Sequence, residues 1–410
     1  MAAISTGAAS THELSDLAAP DHYDYEWSAL ATAAVEQAFV QLAWPDGAQL
    51  RAHATWLFEN DPIRSIEPSS RECILDQATL PAAGHLAAAE VGDAGELLVT
   101  WGDRTTTSFH PGWLRHVAVG LHLPDAPLPE RRPWTTADLP EAPTTHFAGD
   151  IGPMVAPGDR PSPELASALR RWLDDLAVHG LARLRGIGTD LDALERVMAH
   201  IGPIRGSNFG NVFTVQAIVD PDSTANTGLE LKAHTDLPTR ETPPGFQFLH
   251  CVENEVAGGH SYMTDGLAVV AHLEQHEPDT YEALTTLDWI WFNRQRDDDH
   301  RWIGPVIDLG GRNTPTTIRA FYPVRSFPAM ADDDIDRGYA ALRRFHELVD
   351  SPEFRLDFPF VPGDVIAFDN RQVLHGRSAF DGGGRRLLRG CYLDRDDVRS
   401  RHRVLCRRSS

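Results

Sequence analysis

The chain has few cysteines, and they are widely spaced. Only four of its 410 residues are cysteine, and no two of them form a CxxC pair: Cys73, Cys251, Cys391 and Cys406. A disulfide framework or a zinc site built from cysteines is therefore not expected. The same spacing is typical of a protein from a reducing compartment, and we predict a cytoplasmic location.

The chain is also poor in basic residues and in long apolar segments. It has 37 Lys and Arg against 59 Asp and Glu, a formal net charge of -22. Because phosphate binding needs clustered Lys and Arg, we expect no nucleic-acid partner. No segment approaches the roughly 20 apolar residues of a membrane helix, and the first residues lack a signal-peptide pattern. We therefore expect no membrane partner; the charge favours a cationic or zwitterionic small molecule, or reflects solubility alone.

The order of patterns along the chain predicts two domains. Residues 1–35 are polar and are predicted to be a mobile N-terminal tail. Residues 36–122 alternate strand-like runs with turns, which predicts a small β-rich accessory domain. The proline-rich residues 123–150 are predicted to be a linker, and residues 151–410 form the larger domain.

The larger domain begins with helical patterns and continues mostly with strands. Ser162 and Pro163 are typical of a helix start, and Gly180 follows the last apolar residues of that helix. A second helix is predicted from about residue 190 to 201. In the strand-rich remainder, one helix is predicted at about 331–349. Many short strands over about 200 residues predict a sandwich or barrel with flanking helices.

The segment KAHTDLP contains the first candidate metal ligands. On a strand, His234 and Asp236 would point to the same side, because they are two residues apart. Two imidazoles and one carboxylate on one face of a metal suit Fe(II) and leave three positions open. His375, beside the strand-like DVIAFDN, is the best candidate for the second imidazole. With 19 histidines in the chain, an isolated HxD also arises by chance at structural or surface positions.

Arg386 follows His375 by eleven positions, in the strand-like RLLRGCYL. A dicarboxylate cosubstrate needs a planar cation at the far end of its pocket, and arginine provides one. Any one of these features could arise by accident. Their combination, with an HxD pair, a distant histidine and an arginine at this spacing, is much less expected by accident.

On these residues the chain resembles the γ-butyrobetaine and trimethyllysine dioxygenases of the taurine-dioxygenase-like (TauD) superfamily. The similar stretches from about residue 150 to the end are HTDLP, PPGFQFLHC, GGHSYMTDG, PGDVIAFDN, LHGRSAF and RGCYLDRDDVRSRHRVL. The small domain is similar through ATWLFEND and LLVTWGDRTTTSFHPGWLRH. The resemblance implies a mainly β fold with flanking helices, in which a double-stranded β-helix (jelly roll) is the catalytic domain. It also makes a homodimer an expectation.

The resemblance further implies an Fe(II)- and 2-oxoglutarate-dependent dioxygenase. His234, Asp236 and His375 would bind the iron, and 2-oxoglutarate would chelate it. Arg386 and the Ser261 hydroxyl would meet the distal carboxylate of 2-oxoglutarate, beside an apolar wall that includes Leu249. With O2, such enzymes release succinate and CO2 and hydroxylate an unactivated C–H bond of a small substrate.

The residues leave the substrate open. Aromatic cages hold quaternary ammonium groups, and the resemblance places Phe209, Phe213 and Tyr392 in such a cage. Asn226, however, stands where butyrobetaine enzymes carry a cage tyrosine, and Phe is a weaker cation–π partner than Tyr or Trp. Phe213 and Tyr392 could equally be core aromatics. An amino-acid-like or secondary-metabolite substrate is therefore ranked above γ-butyrobetaine.

Other readings differ in reaction or in class. Related halogenases carry a small residue in place of Asp236, so hydroxylation is favoured, while desaturation or cyclisation stays open. A catalytically silent jelly-roll binding protein is the non-enzyme alternative, and the absence of a GxSxG motif disfavours a hydrolase.

No zinc is predicted, because ATWLFENDPIRS lacks the cysteines with which animal relatives bind it. Arg319 and Arg325 could meet a substrate carboxylate or pair with nearby acids.

Overall fold

The computed structural model of the chain describes residues 17, 19–80, 85–155, 159–216, 228–293, 297–311, 315–380 and 384–407. The chain divides into two compact units, Met1–Ala126 and Pro127–Ser410. Residues 1–16 and 18 of the predicted tail lie outside the described residues, while Ala19 and Leu30 are buried in the core of the smaller unit and a strand begins at Thr32. Among the helices that are described, none combines the length and the apolar character needed to cross a membrane.

The described part of the smaller unit contains two three-stranded antiparallel sheets and two short α-helices. One sheet has the order β1 (Thr32–Glu36), β2 (Phe39–Ala43), β3 (Gln49–His53), and the other has the order β4 (Leu86–Val91), β5 (Leu97–Trp101), β6 (Thr106–Phe109). The helices are α1 (Ala54–Glu59) and α2 (Pro111–Ala118). Their shared core contains buried Leu57, Val99, Trp101 and Trp113.

Both short helices correct the sequence prediction for residues 36–122, which gave only strand-like runs and turns. Each helix begins after a histidine whose ring accepts backbone hydrogen bonds: His53 from Thr55 N–H, and His110 from the N–H groups of Gly112 and Trp113. These caps satisfy amide groups that a helix start leaves free. The apolar spacing of so short a segment does not distinguish a strand from a helix.

The larger unit is built around two sheets. A six-stranded sheet has the order β7 (Thr144–His146), β8 (Leu181–Arg185), β19 (Asp364–Asp369), β11 (Phe246–Asn254), β21 (Arg386–Leu393), β9 (Val212–Val215). A four-stranded sheet has the order β10 (Leu231–His234), β20 (Val373–Arg377), β12 (Ser261–Asp265), β18 (Arg355–Phe358). All pairings in these sheets are antiparallel except that of β7 with β8.

One hydrophobic cluster joins the two sheets, and helices cover their other faces. Leu249 and Phe368 of the six-stranded sheet belong to the same buried cluster as Met263 and Leu356 of the four-stranded sheet. Helices α3 (Pro163–His179), α4 (Ala193–Ala199) and α8 (Arg395–Arg407) cover the six-stranded sheet. Helices α5 (Gly266–His276), α6 (Pro278–Thr286) and α7 (Asp332–Val349) belong to the cluster behind the four-stranded sheet.

The remaining strands lie between α6 and α7 in the chain. They form a three-stranded sheet in the order β14 (Arg301–Gly304), β13 (Trp289–Phe292), β17 (Arg325–Pro328), and a pair, β15 (Ile307–Asp308) with β16 (Thr317–Ile318). The described part of the larger unit is therefore mainly β with flanking helices, as predicted.

The structure confirms the first predicted helix of the larger unit and adds helices that the sequence did not predict. The Ser162 hydroxyl accepts from Leu165 N–H, and Gly180 ends α3 with a φ of 64°. Helices α5, α6 and α8 were not predicted. In α5, the five consecutive residues from Leu267 to Ala271 (LAVVA) are all apolar, which hides a helical period.

Residues 127–150, most of the predicted linker, belong to the larger unit. They contribute β7 to the six-stranded sheet and bury Trp134, whose indole N–H donates to His179 O. Asp265 receives hydrogen bonds from the Trp134 backbone and from Arg131. Proline content indicates an extended chain, but it does not show whether that chain packs against a core.

Candidate active site

Strand pairing places the two predicted imidazole ligands opposite each other. His234, the last residue of β10, pairs across the sheet with His375 of β20. The two rings have centroids 4.2 Å apart. Directly opposed residues on one sheet face lie within side-chain contact distance, so the register alone brings these histidines together.

Asp236 completes a cluster with the two histidines. Its Oδ1 lies 3.3 Å from His234 Nε2 and 4.0 Å from His375 Nε2. One ligand atom from each residue falls within 4.8 Å of the others. Two imidazole nitrogens and a carboxylate oxygen at this spacing fit Fe(II) with open coordination positions.

Hydrogen bonds orient two of the three side chains. His234 Nδ1 lies 2.8 Å from Lys232 O, so the proton of a neutral ring belongs on Nδ1 and Nε2 is free to bind a metal. The Tyr392 hydroxyl donates to Asp236 Oδ2 at 2.7 Å. These contacts are of the kind that fix metal ligands before a metal binds.

Asn370 holds the backbone of the same loop. Its Oδ1 accepts from Asp236 N–H at 2.7 Å, and its Nδ2 donates to Asp236 O at 3.0 Å. The next residue, Leu237, has a φ of 53°, a region that costs a non-glycine residue free energy. We infer that the two amide hydrogen bonds of fully buried Asn370 help to maintain this turn.

The protonation states suit metal binding. Burial by itself would raise the pKa of the Asp236 carboxyl, but the rings of His375 and His234 and the Tyr392 hydroxyl hold it well below its usual range. Burial, and then the nearby His234 ring, lower the pKa of His375 to about 3. At neutral pH the carboxylate is ionised and the His375 ring is neutral, as ligands must be.

The cluster opens into a cavity of about 710 Å³ within the larger unit. Arg386 lines it and is 5% exposed, yet forms no ion pair with any residue the structure describes, and its Nε has no hydrogen-bond partner among them. Burial, followed by the nearby Arg377, lowers the pKa of Arg386 to about 10, so the side chain stays charged at neutral pH. An unpaired buried guanidinium is costly unless a ligand supplies the anion.

The other predicted cosubstrate residues line the same cavity. Ser261 begins β12, where it pairs with Arg377 of β20, and Leu249 lies on β11. Leu388 and Tyr392 share the cavity face with Arg386, because they alternate along β21.

The predicted aromatic residues also meet at the cavity wall. Phe213 lies with its ring centroid 6.4 Å from that of Phe209 and 5.1 Å from that of Tyr392. A Cβ on Gly390 would lie 2.4 Å from the Phe213 ring, so glycine gives this ring its place on the sheet. Asn226, the fourth predicted substrate residue, lies outside the described residues.

Sequence reasoning missed several cavity residues. Phe321 stacks on the His234 ring at 4.7 Å, and Gln247 is buried with no partner for its Oε1 in the described parts of the chain. Arg377 also lines the cavity. Two of them had a signal in the sequence: Arg377 lies two residues after His375 on one strand face, and Gln247 is polar within an apolar strand.

Arg319 and Arg325 do not line the cavity. The Arg319 guanidinium donates to the backbone carbonyls of Pro238, Arg240 and Glu241, and therefore supports the loop after Asp236. The Arg325 guanidinium lies 5.0 Å from the centroid of the Trp289 ring. Within the described residues, neither guanidinium lines the cavity and neither forms an ion pair with a carboxylate, although the charge of Asp308 acts on Arg319.

Comparison with known proteins gives one family. The sequence profile described as "Taurine catabolism dioxygenase TauD, TfdA family" matches residues 143–392. The chain is 36% identical over 386 residues to a gamma-butyrobetaine dioxygenase of Pseudomonas sp. (strain AK-1), covering 93% of this chain and 97% of that protein. It is 28% identical to the human gamma-butyrobetaine dioxygenase, covering 90% and 95%. It is 26% identical to the mitochondrial trimethyllysine dioxygenase of Rattus norvegicus, covering 76% and 73%.

Proposed function

Because the chain belongs to the TauD, TfdA family, in the group of gamma-butyrobetaine and trimethyllysine dioxygenases, we propose that His234, Asp236 and His375 bind its iron. The predicted family and enzyme class are confirmed: the protein is an Fe(II)- and 2-oxoglutarate-dependent dioxygenase. We further propose that its two main sheets form a jelly roll. The larger unit is then the oxygenase domain, since it carries every proposed site residue, and the smaller unit is an accessory domain.

One observation carries the site assignment. The cavity has a cluster of metal-ligand type and also Arg386, a buried cation without an acidic partner among the described residues. A dicarboxylate with a keto acid group at one end satisfies both features, because one end can bind a metal and the other can neutralise arginine. A non-catalytic binding protein has no need of both.

The residues then have separate tasks. Arg386 and the Ser261 hydroxyl hold the distal carboxylate of 2-oxoglutarate, and Leu249 keeps water from its aliphatic chain. Iron and cosubstrate together supply the oxidising chemistry, in which O2 is consumed, succinate and CO2 are released, and a C–H bond is hydroxylated. The protein positions the substrate carbon and excludes competing water.

For the substrate we propose a small, amino-acid-like molecule with a cationic group. The Phe209 and Phe213 rings offer apolar faces to the cation, while the amides of Asn208, Gln247 and Asn293, which also line the cavity, offer hydrogen bonds. γ-Butyrobetaine is the second candidate, favoured by the 36% identity to a gamma-butyrobetaine dioxygenase. The predicted homodimer and cytoplasmic location stay predictions.

Anaerobic titration tests the site assignment. Apoprotein is titrated with Fe(II) and then with 2-oxoglutarate, and the visible absorption of a metal-chelated keto acid is recorded. We expect a weak band with the wild-type protein and none with Asp236→Ala. A band of equal intensity in both proteins would refute the role of Asp236.

Succinate release tests the substrate proposal. A panel of amino acids, betaines and γ-butyrobetaine is screened for stimulation of 2-oxoglutarate turnover, and the hydroxylated product is identified by mass spectrometry. A cationic substrate should lose affinity in Phe213→Leu. Preference for an uncharged or anionic compound would contradict the proposal.

A further inference from the structure

The two oxygens of the Asp236 carboxylate have different surroundings. Oδ1 faces the histidines, at 3.3 Å from His234 Nε2 and 4.0 Å from His375 Nε2. Oδ2 instead accepts the hydroxyl of Tyr392 at 2.7 Å. Only one of the two oxygens is therefore directed at the metal-ligand cluster.

Tyr392 is held firmly enough to maintain this difference. It lies near the end of β21, paired with Gln247 of β11, and only 1% of it is exposed. Its ring packs against Phe213, with centroids 5.1 Å apart. A carboxylate oxygen can only accept a hydrogen bond, so the Tyr392 hydroxyl is the donor in this contact.

We propose that Tyr392 is a positioning residue that holds Asp236 as a one-oxygen metal ligand. This inference rests on the proposed function, because it concerns the same metal site. By occupying Oδ2, the hydroxyl prevents the carboxylate from turning both oxygens toward the metal. A second carboxylate oxygen would occupy a position that the cosubstrate or O2 needs.

This role differs from the aromatic-cage role that the sequence resemblance implied. A cage residue acts through its ring face on the substrate, so Tyr392→Phe would change substrate affinity and leave metal affinity unchanged. A positioning residue acts through its hydroxyl, so the same substitution changes the metal site before any substrate is present.

The test is metal binding by the apoprotein without substrate. Anaerobic calorimetric titration with Mn(II) compares the wild type, Tyr392→Phe, Asp236→Ala and the matched control Tyr339→Phe, whose tyrosine lies on α7, outside the cavity. We expect Tyr392→Phe to bind Mn(II) about 10–100-fold more weakly, as is usual when a neighbour of a metal ligand is lost. Tyr339→Phe should match the wild type.

A second measurement separates an altered metal site from damaged packing. Tyr392→Phe keeps the ring that packs on Phe213, so thermal unfolding of the apoprotein reports whether the fold survives. With Fe(II) and 2-oxoglutarate, the absorption band should shift in Tyr392→Phe. It should stay unshifted in Phe213→Leu, which disturbs the ring packing and leaves the hydroxyl in place.

The outcomes are distinguishable. Weaker Mn(II) binding with a shifted band supports the proposal. Wild-type Mn(II) affinity and an unshifted band in Tyr392→Phe would overturn the role of Tyr392 while leaving the metal site intact. Equal Mn(II) affinity of the wild type and Asp236→Ala would overturn the metal assignment, and the role of Tyr392 with it.

Discussion

Among the residues that the structure describes in the larger unit, two clusters have metal-ligand types of side chain, and their surroundings differ. One is the His234, Asp236 and His375 cluster on facing strands. The other contains Asp174 of α3 with His402 and Cys406 of α8. In each cluster, one ligand atom per residue lies within 4.8 Å of the others.

In the helical cluster the polar groups already satisfy one another. His402 Nε2 lies 2.6 Å from Asp174 Oδ1, a hydrogen bond, and the Arg170 guanidinium lies 3.8 Å from Asp174 Oδ2. Burial raises the pKa of the Cys406 thiol, so the thiolate that a metal requires is disfavoured. This cluster therefore serves as a polar contact between two helices.

In the strand cluster the hydrogen bonds to His234 and Asp236 come from outside the cluster. The backbone at Lys232 and the Tyr392 hydroxyl hold the far atoms of these two side chains. His234 Nε2, Asp236 Oδ1 and His375 Nε2 therefore face one another at a cavity that also contains Arg386. Proximity of side chains that can bind a metal is therefore not enough to make a metal site. Neighbouring groups must also orient those side chains toward a common point.

The largest expected difference between the clusters is in turnover. Asp236→Ala should reduce succinate release by more than the roughly 10–100-fold typical of losing a neighbour of a metal ligand, because a ligand itself is removed. Asp174→Ala should retain turnover close to that of the wild type. Both are measured with saturating Fe(II) and 2-oxoglutarate. Comparable losses in the two variants would remove the distinction between the clusters.

The second expected effect concerns Arg386, which has no acidic partner among the described residues. Arg386→Ala should weaken 2-oxoglutarate binding by about 2–5 kcal/mol, on the order of 30-fold or more, because the buried carboxylate loses its charged partner. The measurement is succinate release against 2-oxoglutarate concentration. Arg386→Lys keeps the charge but not the planar fork. Its 2-oxoglutarate requirement should therefore lie between those of the wild type and Arg386→Ala. An unchanged 2-oxoglutarate requirement in Arg386→Ala would contradict the cosubstrate assignment.

A third expected effect concerns the loop that carries Asp236. Asn370→Ala should lower the free energy of unfolding of the apoprotein by about 1–3 kcal/mol for each backbone group of Asp236 left without a partner. Urea unfolding measures it. Asn370→Asp keeps the oxygen that accepts from Asp236 N–H and loses the donor, so it should also be destabilised. Wild-type stability of both variants would show that Asn370 does not hold the loop.

The smallest expected effect is the pH dependence of the helical cluster. Burial lowers the pKa of His402, although Asp174 opposes this shift. The folded protein then binds fewer protons at this position than the unfolded chain does below about pH 6.5. The contribution of His402 to the stability of the fold is therefore complete above about pH 6.5. It is lost as the pH falls toward the pKa that His402 has in the folded protein.

When the pH is lowered from about 7.5 to about 5.5, the free energy of unfolding of His402→Gln should consequently fall by less than that of the wild type. The difference should not exceed ~1.4 kcal/mol per pH unit for a single group. Urea unfolding of the apoprotein at both pH values measures it. A steeper pH dependence in His402→Gln would show that His402 is protonated in the fold.

The sequence predicted those elements whose signals are local. The cap and C-terminal glycine of α3 depend on neighbouring residues, and the structure has them at Ser162 and Gly180. Helix α5 was missed because its residues are apolar on more than one side, and α6 because only Ala283 and Leu284 of its nine residues are buried, so in both the helical period is weak. The linker was wrongly predicted at Trp134, since burial of that side chain depends on Asp265 and His179, far away in the chain.

For the candidate site, the sequence by itself determined the chemical inventory: the HxD pair, a later histidine, a later arginine and their similarity to one enzyme family. The tertiary structure alone decided which of the 19 histidines lies opposite His234. It also decided that Arg386 is buried without an acidic partner in the described residues, and that Tyr392 donates to Asp236, 156 positions away. The physical reason is that strand register and side-chain orientation depend on contacts between distant segments, which local sequence patterns do not encode.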